Sequence, residues 1–328
     1  MNICEVVAAD IGGTNARFAI AEVADGHVVS LGDPVTLEAA HHGSLQLAWQ
    51  AFGKRLGREL PRAAAIAVAS PINDTLIKMT NNPWIIRPPL INSRLGVDTW
   101  TLINDFGAVG HAIAQLDQKW LAHLCGADKP LPDHGSITVC GPGTGLGVAQ
   151  VLRIRDHGYH VIETEGGHVD FAPLDGIEDE IVRRLRKTYT RVSAERVCAG
   201  PAIVAIYETL AAIEGKKVKQ NQDDVDLWKL ALDGEDSLAV AAMDRFCLAL
   251  GAVAGDLALA HGPTGVVIAG GLGLRLKDKL LESGFGQRFA AKGRFQSLME
   301  SIPVKLITHP QPGLFGAAAA FAQEHTRK

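Results

Sequence analysis

The chain lacks paired cysteines, an excess of basic charge, a cationic leader and a membrane-length apolar run free of acid. Its five cysteines, Cys4, Cys125, Cys140, Cys198 and Cys247, are odd in number and form no C-x-x-C pair. A disulfide framework and a zinc ribbon are both disfavoured, and free buried thiols in a reducing compartment are expected. Lys and Arg number 32 against 36 Asp and Glu, a net charge of −4. That gives no electrostatic footprint for nucleic acid or an anionic membrane, so neither is expected as a partner. The most apolar long stretch, Phe246 to Ala260, contains Asp256 and is too short to cross a bilayer. No cationic segment followed by an apolar run opens the chain, and a cytoplasmic protein is expected. Also missing is any G-x-x-x-x-G-K-[ST] sequence, which argues against a P-loop nucleotidase.

What is present is glycine. There are 35 glycines in 328 residues, enough chain for two lobes and enough glycine for many tight turns. Residues 4–9, Arg17 to Val23 and His27 to Leu31 read as three strands, a hairpin-rich start unlike a dinucleotide-binding unit. Leu45 to Leu56 has a helical period, and Ala63 to Ala69 reads as a strand buried on both faces. Trp100 to Ile103 reads as a strand closed by Asn104 and Asp105, with a helix from Ala108 to Leu116. A lobe boundary is expected near residues 110–120. Ile137 to Cys140 and Gly147 to Ile154 then repeat the opening plan of strand, Gly-Thr turn, strand, as two lobes of one design would. Ser193 reads as the N-cap of a helix holding Glu195, and Ser237 to Ala260 as a long helix. Val266 to Ala269 and Val304 to Thr308 read as strands, and Leu314 to Ala322 as a small-residue helix returning to the first lobe.

Three glycine loops carry the chemistry. Ala9, Asp10, Ile11, Gly12, Gly13 and Thr14 follow the first strand, Gly143, Thr144 and Gly145 a later one, and Gly270 and Gly271 a third. Backbone N–H groups, a hydroxyl and a carboxylate at strand ends can hold phosphate oxygens and a hydrated divalent cation, with Asp10 orienting the waters on Mg²⁺. Any one such loop is also what a plain glycine turn looks like; several in order are far more specific. Asn104 and Asp105 close a strand where open α/β sheets place ligands. Transfer to a hydroxyl needs a carboxylate to accept its proton, and Asp105 is the candidate. Glu165 and His168 flank Gly166 and Gly167, pairing acceptor and donor as adjacent sugar hydroxyls require, and Glu195 adds an acceptor. Taken singly, Asn104–Asp105 is also an ordinary strand-end turn, His168 a core histidine, and Glu195 an acid at a helix N-terminus.

Together the stretches Asp10 to Arg17, Ile103 to Phe106, Gly141 to Gly147, Glu165 to Pro173, Val192 to Val197 and Ile268 to Gly271 resemble the bacterial glucokinase family of the actin-like ATPase (hexokinase) superfamily. The resemblance runs essentially end to end. It implies an α/β, two-lobed, ribonuclease H-like fold with a central mixed sheet in each lobe and an interlobe cleft. The small lobe is expected over residues 1–112 plus 311–328 and the large lobe over 113–310. It implies transfer of the γ-phosphoryl of Mg-ATP to the 6-hydroxyl of D-glucose, with ATP and Mg²⁺ required and a homodimer common. Asp105 would then be the base, and Asn104, Glu165, His168 and Glu195 would bind the other hydroxyls. Asp10 to Thr14 and Gly143 to Gly145 would hold phosphates, and Gly270 and Gly271 would border adenosine. Pro142 and Ala9 stand where the family often has a small residue and glycine. No cysteine cluster follows His168, so the structural zinc of the related repressor/kinase group is not expected. A kinase for another hexose, a sugar-sensing regulator and an actin-like filament protein are the alternatives. The regulator has no basic helix-turn-helix before Asp10 here, and a filament needs no sugar pocket.

Overall fold

A computed structural model describes residues 3–72, 75–79, 82–155, 157–218 and 222–327. The chain divides into two units: unit 1 is Met1–Asp117, Val161–Glu163 and His309–Lys328; unit 2 is Gln118–His160 and Thr164–Thr308. Along the chain run β1 (Cys4–Ile11), β2 (Asn15–Ala24), β3 (His27–Leu31), β4 (Val35–Glu38), α1 (Leu45–Leu56), β5 (Ala63–Val68), β6 (Ile77–Lys78), β7 (Ile85–Ile86), α2 (Ile91–Leu95), β8 (Thr99–Asn104) and α3 (Asp105–Gln115). Then follow β9 (Leu121–Cys125), β10 (Gly135–Pro142), β11 (Leu146–Ile154), β12 (Gly158–Thr164), α4 (Gly176–Leu185), α5 (Glu195–Cys198), α6 (Ala202–Ile213), α7 (Asp224–Asp233) and α8 (Ser237–His261). The last elements are β13 (Pro263–Ile268), α9 (Gly271–Arg275), α10 (Lys277–Glu282), α11 (Phe285–Ala290), α12 (Gln296–Glu300), β14 (Val304–Ile307) and α13 (Pro312–His325).

In unit 1 the sheet order is β3-β2-β1-β5-β8, with β4 paired to β2. The hairpin β1–β2 is antiparallel, Asp10 opposite Arg17, while β5 runs parallel to both β1 and β8. Burial of β5 on both faces explains its unalternating Ala-Ala-Ala-Ile-Ala-Val sequence. One face packs on α1, where Phe18 stacks on Phe52 at 5.4 Å and meets Trp49 edge-on at 6.3 Å. Ser44 starts α1 by accepting the Leu47 N–H at 3.2 Å, and Gly57 at φ +71° ends it. The other face is rich in alanine and receives Leu314, Ala317, Ala318 and Phe321 of α13. The Ala108 carbonyl of α3 occupies the space a side chain on Gly316 of α13 would need.

In unit 2 the order is β12-β11-β10-β13-β14-β9. Here β10–β11 is an antiparallel hairpin and β13 runs parallel to β10 and β14. The repeat of strand, glycine turn, strand read from the sequence is therefore a repeat of sheet order. The helices α4 to α12 add a larger core in which Trp228 meets Phe246 edge-on at 5.0 Å. All five cysteines are free; burial pushes the Cys140 and Cys247 thiols up to about 12, which keeps them inert.

Three local readings change. The helix after β8 starts at Asp105 rather than Ala108, because the Asn104 side chain caps it. Ser193 does not cap α5: Ala194 precedes that helix with no side-chain cap, and Ser193 is committed to a β-bridge with Asp170. Helix α8 extends over 25 residues and is long and apolar enough to cross a membrane. The short-run argument from Phe246 to Ala260 therefore does not hold; 72% of its most apolar window is buried, as befits a core helix.

Candidate active site

Unit 1 gathers two acids and an amide at strand ends. Asp10 is near the end of β1, and Asn104 ends β8, with Asp105 opening α3. The Asn104 Oδ1 accepts the N–H groups of Phe106 (2.8 Å) and Gly107 (3.3 Å), and its Nδ2 donates to the Ser70 carbonyl at 3.2 Å. Most of that amide is thus used in building the strand-to-helix corner, leaving one N–H for a ligand. Asp105 Oδ1 accepts the Phe106 N–H at 2.9 Å. Burial raises the Asp105 carboxyl to about 6; the charges of Asp10 and Glu163 push the same way, and backbone N–H bonds resist.

Burial raises Asp10 as well, against the pull of the Arg17 guanidinium at 3.4 Å. Gly313 at the start of α13 lets this carboxylate approach: a Cβ there would lie 2.7 Å from Asp10 Oδ2. The positive end of α13 therefore faces an acid that a single, half-exposed arginine only partly balances. In the turn that follows, the Gly12 N–H bonds the Asn15 carbonyl (2.9 Å) and its carbonyl accepts Asn82 Nδ2 (3.1 Å). Gly12 thus holds the turn itself together.

Unit 2 brings Glu165, His168 and Glu195 together. His168 stands between the two glutamates, Nε2 3.8 Å from Glu165 and Nδ1 4.0 Å from Glu195. Glu195 Oε2 accepts the Leu146 N–H at 3.0 Å and lies where a Cβ on Gly145 would come within 2.5 Å. Gly166 and Gly167 turn tightly against β11: a Cβ on Gly167 would strike the Leu146 carbonyl, and one on Gly166 would lie 2.9 Å from Val148. Their lack of side chains is required by this packing. Arg191 bonds the His168 carbonyl at 2.7 Å and pairs with Asp170, steadying the segment.

A second group in unit 2 lines a cavity of about 480 Å³. Gly143 and Thr144 form one wall, Gly271 and Leu272 another, with Gly200, Pro201, Asp224, Trp228 and Arg275 completing it. The Gly143 carbonyl accepts the Gly200 N–H (2.8 Å), and the Gly200 carbonyl accepts Trp228 Nε1 (2.8 Å). Gly270 sits at φ +83° with its Cα facing the Pro142 carbonyl, so no side chain fits there. A smaller groove of about 190 Å³ in unit 1, lined by Ile86, Leu90 and Arg94 among others, contains none of these residues. Sequence reading missed Glu163, Arg17, Gly200, Trp228 and Arg275. Only Gly200–Pro201 carried a local turn signal.

Two units in which five strands share one order, each with a glycine turn joining its central hairpin (β1–β2 and β10–β11), define the actin-like kinase fold. A family model described as glucokinase matches residues 7–324, and the chain belongs to that family, whose members are ATP-dependent hexose kinases. It is similar to the glucokinase of Zymomonas mobilis, 60% identical over 322 residues that cover 98% of this chain and 99% of the relative. The crystal structure of a glucokinase from an Antarctic psychrotroph superposes with a TM-score of 0.84 at 34% identity, covering 97% of this chain and 98% of that one. A glucokinase from Balamuthia mandrillaris, solved in complex with glucose, shares the fold at a TM-score of 0.75 and 19% identity, covering 98% and 94%.

Proposed function

We propose that this glucokinase-family chain transfers the γ-phosphoryl of Mg-ATP to the 6-hydroxyl of D-glucose, giving glucose 6-phosphate and ADP, with Asp105 as general base. The observation that carries this reading is the Asp105 carboxyl, at a strand end beside Asp10 and raised to about 6. Such a group is ionised at neutral pH yet basic enough to take a proton as the hydroxyl oxygen attacks phosphorus. Asn104 contributes its remaining N–H to a sugar oxygen. In unit 2, Glu165 and Glu195 accept from sugar hydroxyls and His168 donates or accepts between them.

The residues fit the nucleotide and the cation. Gly143, Thr144, Gly200 and Gly271 offer a cavity wall with little side-chain bulk, and Arg275 brings positive charge for phosphate oxygens. Gly270 and Gly271 keep the border of that wall open for adenosine. Gly13 and Thr14 offer a backbone N–H and a hydroxyl for phosphate, with Ala9 and Ile11 fixing the turn through β1. The part-buried carboxylate of Asp10 is a hard oxygen donor only partly balanced by Arg17, an environment that a hydrated Mg²⁺ would relieve. Asp10 is read as acting on the cation through waters, since Mg²⁺ usually keeps several of its own. When bound, the cation neutralises charge on the phosphates. A cytoplasmic homodimer is part of the same reading, supported by the five free thiols and the family resemblance.

The test is ADP release from Mg-ATP with glucose, mannose, fructose, N-acetylglucosamine or no sugar. Release dependent on glucose is expected. Release with another sugar alone moves the substrate, and hydrolysis without sugar removes the kinase reading.

A further inference from the structure

Among the described residues β8 is the edge strand of its sheet, paired to β5 on one side, so a backbone N–H on its outer side has no described strand to bond. At Asn104, the last residue of β8, that N–H donates instead to Glu163 Oε1 at 2.9 Å. The same carboxylate lies over the bare Cα of Gly107, in the space a Cβ would take. Glu163 therefore grips the β8–α3 corner at two points, on either side of Asp105. The Asn104 side chain ties the same corner from within, to Phe106, Gly107 and Ser70. Nothing local could replace the bond from Glu163, which comes from 59 residues away. The acid is not an incidental surface group: burial raises its carboxyl, and the bond from the Asn104 N–H partly offsets that rise.

We propose that Glu163 is a positioning residue for phosphoryl transfer, a carboxylate that locks the Asn104–Asp105 corner and sets the field in which Asp105 works. This rests on the reading of Asp105 as base. The charged groups around Asp105 are Asp10 on β1 and Glu163; Arg17 on β2 balances Asp10. Removing the Glu163 charge leaves Asp10 as the one remaining acid beside Asp105 and lowers the pH at which Asp105 ionises.

The experiment compares Glu163→Ala, Glu163→Gln and Asp105→Asn, singly and as the double Glu163→Ala/Asp105→Asn, in full-length enzyme with glucose and Mg-ATP. Glu163→Ala should lower kcat about 30-fold with KM for both substrates within about 3-fold, because only the transferring geometry changes. Glu163→Gln keeps an acceptor oxygen for the Asn104 N–H; it should recover kcat to within about 5-fold and move the acid limb of kcat to lower pH. In the Asp105→Asn background, Glu163→Ala should cost no more than about 2-fold further, since both act in one step. Should Glu163→Ala fold poorly, Gly107→Ala displaces the same carboxylate from an intact Glu163 and should reproduce the kcat loss. Normal kcat in both Glu163 variants, a loss confined to KM, or a full further loss on top of Asp105→Asn overturns the proposal while Asp105 stands. Near-normal turnover by Asp105→Asn itself overturns the base assignment instead.

Discussion

Five strands of each sheet share one order, β3-β2-β1-β5-β8 and β12-β11-β10-β13-β14, yet the two sheets put opposite kinds of surface at corresponding strand ends. Near the end of β1 sits an acid, Asp10, that burial keeps reluctant to ionise, backed by the N-terminus of α13. After β10 comes a turn with no acid at all, Gly143-Thr144-Gly145, walled by Gly200 and Gly271. Unit 1 collects carboxylates whose proton affinity is raised by burial and by one another. Unit 2 presents Glu165 and His168 with side chains 66% and 55% exposed, ready to exchange water for a ligand's hydroxyls. On the proposed reading, one scaffold would support proton handling in one copy and hydrogen-bond recognition in the other, through differences at the strand ends and not in topology.

The comparison breaks most sharply at Asp105. Asp105→Asn should lower kcat about 1,000-fold while glucose affinity, read by intrinsic fluorescence titration, stays within a few-fold. Normal turnover would show that unit 1's acids have no proton role. Gly145→Ala probes unit 2: its Cβ would press on Glu195 and draw it from the Leu146 N–H. The expected result is a rise of about 10-fold in KM for glucose with kcat nearly kept; an unchanged KM would detach Glu195 from recognition.

A third test uses pH. The folded-state carboxyl of Asp105 lies at about 6, above its ordinary value of 3.8, so between those pH values the native protein holds a proton there that the unfolded chain has released. This group therefore lowers stability as pH rises from about 4 through 6, and the loss persists above that. Asp105→Asn should raise unfolding stability by about 1 kcal/mol at pH 8 and far less at pH 4, measured by urea denaturation. Equal effects at both pH values would refute the burial argument. The smallest effect is expected at Arg275→Gln, about 3-fold in KM for ATP, since the guanidinium lies at an exposed edge of the cavity.

Much of this was legible in the residues. The continuous apolar run at Ala63 marked a strand buried on both faces, and Ser44 with Gly57 bounds α1 where its period was read. The two Gly-Thr turns announced the repeat because a hairpin turn needs its glycines locally. What escaped notice acts across long separations. Glu163 sits in a strand whose alternating residues look like any solvated edge, and its partner is 59 positions away. Asn104 was read for its ligand chemistry, yet the same side chain is a helix cap, and that shifted the start of α3 by three residues. Trp228 and Arg275 line the cavity only because α7 and α9 deliver them there, which no short pattern encodes.

The closing helix α13 has a consequence for how the chain is made. Its residues fill the alanine face of the first sheet, and the Gly26 N–H bonds Thr326 Oγ1 at 2.9 Å across 300 positions of sequence. As the polypeptide leaves the ribosome, β1, β2 and β5 must wait with that face bare while all of unit 2 is synthesised, at about 5–20 residues per second. Unit 2 can bury its core first, whereas the first-made strands are among the last to be covered. Their alanine-rich face offers little side-chain bulk for other chains to grip during that delay.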